Sequence, residues 1–260
     1  ELEVADLEGD GAADIVAVTS IDGQAGRYRG DGSVVWEQPV ETIIGATLAL
    51  FDFDGDGTKD VVVGQKPWSG PGMLFVLDGE DGTQLWERQT NAGINWIDAR
   101  PEHGILAGDL GGGLYRIGRG GEEIWFAAPE GGSSWDGEWT FDADSDRVPD
   151  VLTGQESGAV RVLSGADGQQ IWAGSTEVGR AFAVDTIAGA NGPQVAVGAF
   201  GASDQPFNSI VLLDGATGEQ LGGAQTRYFV MDVTGAQIDE DPQEELAVAS
   251  GWQLYMLDVG

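Results

Sequence analysis

The chain repeats one unit six times. Aligning each apolar segment that closes on an aspartate sets "LEVAD" at Asp6 above "LALFD" at Asp52, "NWIDA" at Asp98, "WTFDA" at Asp142, "FAVDT" at Asp185 and "FVMDV" at Asp232. The spacings are 46, 46, 44, 43 and 47 residues. A turn glycine keeps step at Gly32, Gly82, Gly121, Gly168, Gly218 and Gly260, and four residues after the first four come Trp36, Trp86, Trp125 and Trp172, with Gly222 in the fifth unit. A fixed period of this size marks a supersecondary element that buries its apolar faces against copies of itself. A solenoid or a β-sandwich is the runner-up architecture, but a sandwich would not return its loops at so constant an interval.

Each unit reads as four short strands. In the second, "ATLALF" is an apolar inner strand, "DVVVGQ" a β-branched one, "MLFVLDG" a third, and "TQLWERQ" an alternating fourth after a "DG" hairpin turn. Four strands in about 45 residues match the blade of a β-propeller. The expected fold is all-β: one propeller domain over residues 1–260, with blades starting near 1, 46, 93, 138, 180 and 227. Because Gly260 aligns with the turn glycine of the other units, the last blade is expected to lack its outer strand. The 43 glycines, and the lack of long Ala/Leu/Glu/Lys stretches, disfavour an all-helical alternative.

Composition narrows the chemistry. With 44 Asp+Glu against 12 Lys+Arg the formal charge is −32, which repels nucleic acid and acidic membrane surfaces. The 41% apolar content still supplies a core, so the chain is no disordered acidic tail. Only Lys59 and Lys66 are lysines, a pattern resembling halophilic acidic proteins or a secreted acidic protein from a GC-rich genome. No cysteine is present, which removes disulfides, thiolate metal sites and a Cys nucleophile. The lone histidine, His103, reads as a polar loop position and leaves a His-based cluster without members. No apolar run is long enough for a membrane-spanning helix, so a soluble chain without membrane insertion is expected. Glu1 in place of Met suggests a processed or excised product.

The joins between first and second strands carry the strongest chemical signal. "DFDGDGTKD" sets Asp52, Asp54, Asp56 and Asp60 at positions 1, 3, 5 and 9 of one loop. At about 4 Å and an effective dielectric near 20, each like pair costs on the order of 4 kcal/mol, so the loop wants a hard cation. Calcium takes six to eight oxygens, with the Thr58 carbonyl filling position 7 and Gly55 and Gly57 allowing the curvature. "DLEGDGAAD" repeats the register with Asp6, Glu8, Asp10, the Ala12 carbonyl and Asp14. "DADSDRVPD" does so with Asp142, Asp144, Asp146, the Val148 carbonyl and Asp150, with Ser145 and Arg147 in place of the glycines. In the sixth unit Gln237, Asp239, Asp241 and Glu245 imitate the pattern. About three calcium ions are expected, with a fourth if that last loop binds. The third and fifth units, "DARPEHG" and "DTIAGANG", have lost the carboxylates and are expected to close by hydrogen bonds alone. An EF-hand is excluded, because position 12 carries no bidentate Glu and no helices flank the loops.

These loops resemble the FG-GAP repeats of integrin α-subunit propellers and their bacterial and archaeal relatives, and "LDGEDGTQLWE" and "LSGADGQQIWA" resemble the quinoprotein (PQQ-like) repeat. The resemblance implies calcium in the loops of one rim and a role in extracellular or cell-surface recognition or adhesion. On the opposite face, joins between second and third strands and between blades are aromatic: Trp68, Trp135 and Trp139, Phe200 and Phe207 are candidates for stacking on a glycan or anchoring a protein partner. Packing within the fold is the alternative for them, and Trp36, Trp86, Trp125 and Trp172 read as inter-blade packing. The Arg29-Gly30-Asp31 triplet aligns with hairpin turns of other blades and is read as a turn. An unpaired third strand in the last blade would be open to strand donation by a partner or by further chain. The expected function is therefore a noncatalytic, calcium-stabilised adhesion, ligand-binding or assembly module. The alternative is a propeller enzyme, quinoprotein dehydrogenase-like or polysaccharide-cleaving.

Overall fold

The computed structural model describes residues 1–19, 23–40, 45–67, 69–177, 179–201, 208–237 and 244–258. All regular structure among them is β. Blade one consists of β1 (Leu2–Ala5), β2 (Asp14–Val18), β3 (Gln24–Arg29) and β4 (Val34–Pro39). Blade two holds β5 (Gly45–Phe51), β6 (Asp60–Lys66), β7 (Met73–Leu77) and β8 (Gln84–Gln89). Blade three holds β9 (Ile94–Arg100), β10 (Gly104–Asp109), β11 (Leu114–Ile117) and β12 (Glu123–Ala127). Blade four holds β13 (Ser134–Trp139), β14 (Val151–Gln155), β15 (Ala159–Leu163) and β16 (Gln170–Ser175). Blade five holds β17 (Arg180–Gly189), β18 (Gly192–Phe200), β19 (Asn208–Asp214) and β20 (Gln220–Thr226). Blade six is β21 (Val230–Ala236), β22 (Glu245–Ser250) and β23 (Gln253–Leu257), a three-stranded sheet, as the position of the last turn glycine predicts. Every sheet is an antiparallel meander in chain order. This is a β-propeller of six blades.

The chain gathers into two compact units, Glu1–Ala128 and Pro129–Gly260, each holding three blades. Within each unit the blades stack face to face. That stacking explains the burial pattern: the Val-rich β6 and the β14 strand Val151–Gln155 are buried on both faces, whereas the outer β8 alternates toward solvent. One core cluster joins Val16 and Val18 of blade one to Val61 and Val63 of blade two, and another joins Leu152 and Val162 of blade four to Val195 and Val197 of blade five.

The repeated tryptophan has a geometric cause. In each four-stranded blade the register shifts where the third strand meets the fourth, at Arg27/Tyr28, Val76/Leu77, Arg116/Ile117, Val162/Leu163 and Leu212/Leu213. The residue opposite the first of each pair is Trp36, Trp86, Trp125, Trp172 or Gly222. In blades one, two and four the bulge aims the tryptophan at the following blade. Trp36 Nε1 donates to the Gly79 carbonyl (3.0 Å), and Trp172 Nε1 donates to the Gly215 carbonyl (2.7 Å). The indole rests on the next hairpin turn: a Cβ at Gly218, whose φ is +71°, would stand 2.5 Å from the Trp172 ring. The packing expectation for Trp36, Trp86 and Trp172 thus holds, since Trp86 likewise lies against Gly121.

Candidate metal centres

The acidic loops occupy the joins predicted for them, β1 to β2, β5 to β6 and β13 to β14. Their shape follows from the carboxylates folding the backbone onto themselves. In blade one, Asp6 accepts from the amides of Gly9 (2.7 Å) and Gly11 (2.8 Å), and Asp10 accepts from Ala12 N (2.8 Å). In blade two, Asp54 Oδ1 accepts from Asp56 N (3.0 Å) and Asp56 Oδ1 from Thr58 N (2.7 Å). Blade four repeats this with Asp144 Oδ1 to Asp146 N (3.0 Å) and Asp146 Oδ1 to Val148 N (2.7 Å). Each loop needs left-handed backbone at positions 4 and 6. Gly55 and Gly57 supply it at φ 86° and 99°, and in blade four Ser145 and Arg147 are held at 66° and 74° in spite of their side chains.

The ninth position has a second role. Asp60, 1% exposed, accepts from Phe53 N at Oδ2 (2.8 Å) and from Gly79 N at Oδ1 (3.0 Å). Asp150 does the same with Ala143 N (2.6 Å) and Gly165 N (3.0 Å). Each aspartate ties its own loop to the turn between the third and fourth strands. The approach is so close that a Cβ on Gly79 would meet the Lys59 carbonyl at 2.0 Å. Burial pushes the Asp60 carboxyl up to about 6 and raises Asp150 as well, with the accepted amide hydrogen bonds opposing the rise in both.

Among the described residues, acidic oxygens converge within 4.8 Å in three groups: Asp52, Asp54 and Asp60; Asp54, Asp56 and Asp78; and Asp142, Asp144 and Asp150. Positions 1, 3 and 9 therefore meet in blades two and four. Asp78, from the turn after β7, was missed from sequence, although the "LDGEDG" turn that holds it recurs in the repeat. Three carboxylates with no thiolate or imidazole form a hard oxygen donor set that fits calcium or magnesium rather than zinc.

Blade one is built differently. Arg27, 1% exposed on β3, reaches Asp14 Oδ2 and Glu8 Oε1, each at 2.8 Å, and donates to the Gly79 carbonyl at 2.9 Å. Its guanidinium supplies the positive charge that the loop carboxylates require. Asp6, Glu8, Asp10 and Asp14 are correspondingly absent from the converging groups. The register alone made the three loops look equivalent, because Arg27 lies on another strand. In the sixth unit Gln237 is exposed and Glu245 begins β22, while Asp239 and Asp241 lie outside the described residues. In the third unit the join is a short turn where His103 N donates to Arg100 O (3.0 Å), and in the fifth it is a ladder running to Gly189 and Gly192.

The aromatic candidates divide. Trp135 and Trp139 belong to the inner strand β13 and not to a loop, which corrects the sequence expectation. Trp139 is 2% exposed and is core. Trp135 is half-buried between Phe182 (centroids 5.2 Å) and the Arg180 guanidinium (5.9 Å). Phe200 ends β18 edge-on to Phe229 at 5.5 Å. Trp68 and Phe207 lie outside the described residues. The sequence reading passed over Trp252, 94% exposed on the turn between β22 and β23. The Arg29-Gly30-Asp31 triplet forms the turn between β3 and β4, with Gly32 N donating to Arg29 O (2.8 Å).

A second set of carboxylates braces first strands to one another. Asp136 Oδ2 accepts from Val184 N (2.9 Å), and Asp185 Oδ2 from Gly235 N (2.7 Å). Burial lifts Asp136 to about 6, the two amides it accepts from oppose the rise, and nearby Asp232 and Asp185 add to it.

Blades of this geometry and their acidic loops define a β-propeller. More particularly, residues 6–63, from the first loop aspartate through Val63 of β6, match the FG-GAP-like repeat. Solved structures share the fold: BBS1N in complex with ARL6DN, in a crystal soaked with lead, has a TM-score of 0.66 at 11% identity, over 96% of this chain and 75% of that one. The same complex soaked with mercury gives 0.63 at 12%, over 96% and 76%. The computationally designed Ika8 protein gives 0.57 at 14%, over 96% and 79%. No curated protein sequence matches the chain.

Proposed function

We propose that the chain, as one propeller domain over residues 1–260, is a calcium-stabilised, noncatalytic recognition module that works outside the cell, at a cell surface, in adhesion or assembly. The observation that carries this reading is the convergence of Asp52, Asp54 and Asp60, and of Asp142, Asp144 and Asp150, at the same place in two blades. Calcium held there supplies charge neutralisation and ties the loop ends together. The residues that would hold it are these six, with Asp56 and Asp146 at the fifth positions and the carbonyls of Thr58 and Val148 at the seventh. Blade one offers Asp6, Glu8, Asp10, Asp14 and the Ala12 carbonyl as a third and weaker site, since calcium must compete there with Arg27.

A noncatalytic role is supported by the structural duties of the site carboxylates: Asp60 and Asp150 are spent on backbone amides, and the lone histidine sits beside a hairpin turn. A protein partner is the favoured ligand, since a propeller of this fold, BBS1N, is solved in complex with ARL6DN; a glycan is the other. Titration calorimetry of the metal-stripped chain tests the metal reading. The expected result is about two strong calcium sites, with a rise in melting temperature that magnesium does not match. No heat and no thermal shift would overturn it. Protease treatment of intact cells tests location: a protected chain would refute surface exposure.

A further inference from the structure

Acidic loops two and four share one ligand register, but the blade that follows each brings a different residue to it. Two places before the turn glycine that joins third and fourth strands stand Gly30, Glu80, Arg119, Ala166 and Ala216, in blades one to five. Blade three alone puts a cation there. Its turn between β11 and β12 docks onto blade two, so closely that a Cβ on Gly121 would stand 2.2 Å from Trp86 Nε1. The same docking carries Arg119 over loop two.

Arg119 Nη2 donates to the Asp52 carbonyl at 2.6 Å and lies 3.8 Å from Asp52 Oδ1. A Cβ on Gly55, the fourth residue of the loop, would stand 3.8 Å from the same nitrogen. The ligand register takes side chains at the first, third, fifth and ninth positions and the carbonyl of the seventh, so the Asp52 carbonyl lies outside it. A metal that binds by this register leaves intact the bond that fixes the guanidinium. Arg119 differs in this from Arg27. Its side chain is 45% exposed, and Asp52, Asp54 and Asp60 still converge beside it. It offsets part of the loop's charge without standing in for the ion.

Loop four has the neutral counterpart. Ala216 is exposed at the equivalent place of the turn between β19 and β20. Among the described residues Asp142, Asp144, Asp146 and Asp150 form no ion pair, and Arg147 within the loop forms none either.

We propose, resting on the calcium reading above, that Arg119 makes the two loops unequal: loop four fills first, and loop two fills at higher calcium against the guanidinium of blade three. A single and a double positive charge about 6 Å apart in bulk water repel enough to cost about tenfold in affinity. Because Arg119 is exposed, salt weakens the effect as the screening length falls from about 10 Å at 0.1 M to about 3 Å at 1 M.

Calorimetric titration of the full chain with calcium chloride tests the proposal. Asp144→Asn silences loop four and leaves loop two to be read, and Asp54→Asn does the reverse. Loop four should bind the more tightly. Added to Asp144→Asn, Arg119→Met should tighten loop two about tenfold at about 0.1 M NaCl, and the gain should fall below about threefold at 1 M. Arg119→Lys keeps the charge and should leave the affinity near its starting value. Arg119 is exposed on a turn, so both variants should keep the parent's circular dichroism. Binding that Arg119→Met leaves unchanged or weakens, a gain that salt does not reduce, an equal gain in Arg119→Lys, or a loop four no tighter than loop two would overturn this inference alone. No calcium heat in the parent would overturn the calcium reading and this inference with it.

Discussion

Replacing Arg27 with Met separates the two kinds of acidic loop. Met keeps most of the stem and removes the charge, the partner of Asp14 and of Glu8. Arg27 is 1% exposed at its side chain, Asp14 10% and Glu8 42%, so the Asp14 pair carries most of the effect. Breaking a buried ion pair by deleting one partner costs about 3–5 kcal/mol, because the other charge is stranded. The lower end applies here, since the Gly79 carbonyl keeps the Trp36 indole at 3.0 Å and is not orphaned. For a chain of this size, 3 kcal/mol lowers the melting temperature by about 6–12 °C. Calcium should reverse much of the loss. With the guanidinium gone, Glu8 and Asp14 are free to join Asp6 and Asp10, and an ion at 100 times its dissociation constant returns about 2.7 kcal/mol. Scanning calorimetry in chelator should therefore show Arg27→Met far below the parent, and in excess calcium the gap should narrow to within about 1 kcal/mol. Titration should show one more strong site than in the parent. A metal-free loss under about 1 kcal/mol, or a gap that calcium leaves unchanged, would refute the assignment of Arg27 as the internal cation.

Asp54→Asn and Asp144→Asn should each remove one strong calcium site from the titration while leaving the other intact, as sites in different blades are independent. Ser145→Gly and Arg147→Gly should each stabilise the metal-free chain by about 1 kcal/mol, because the left-handed backbone there strains any side chain; denaturant melts check this. Trp172→Phe should cost about 1–3 kcal/mol by stranding the buried Gly215 carbonyl, visible as a lower midpoint in the same melts. Asp136 holds its proton up to about pH 6 in the fold against an ordinary 3.8, so its folded form carries the extra proton between those values. Its contribution to stability is present below pH 3.8, falls as pH rises, and is gone above 6. Asp136→Asn, neutral and still able to accept from Val184 N, should stabilise the chain by about 1–2 kcal/mol at pH 8 and leave it unchanged at pH 3.5. Equal effects at both pH values would count against the burial of that carboxyl.

The repeat made the blades legible before any coordinates. Strand β6 falls on "DVVVGQ" and β8 on "TQLWERQ" because hairpin turns and β-branched runs are local signals, read within a few residues. The loop carboxylates were legible for the same reason: a nine-residue loop brings its own side chains together whatever surrounds it. Legibility ended where a residue from another strand entered. Arg27 reaches loop one from β3, Asp78 reaches loop two from the turn after β7, and neither is signalled by the loop register. Trp139 misled because "GGSSWDGEW" has the composition of a loop, while Trp139 stands buried on the inner strand β13.

By itself the sequence determined the number of blades, their strands and the shape of each acidic loop, since all of these depend on contacts spanning fewer than about 45 residues. Only the tertiary structure decided which loop carries its own guanidinium and which aspartates are bound to backbone amides. Charge compensation and burial depend on what the next strand and the next blade bring within a few ångströms, and chain order does not encode that distance.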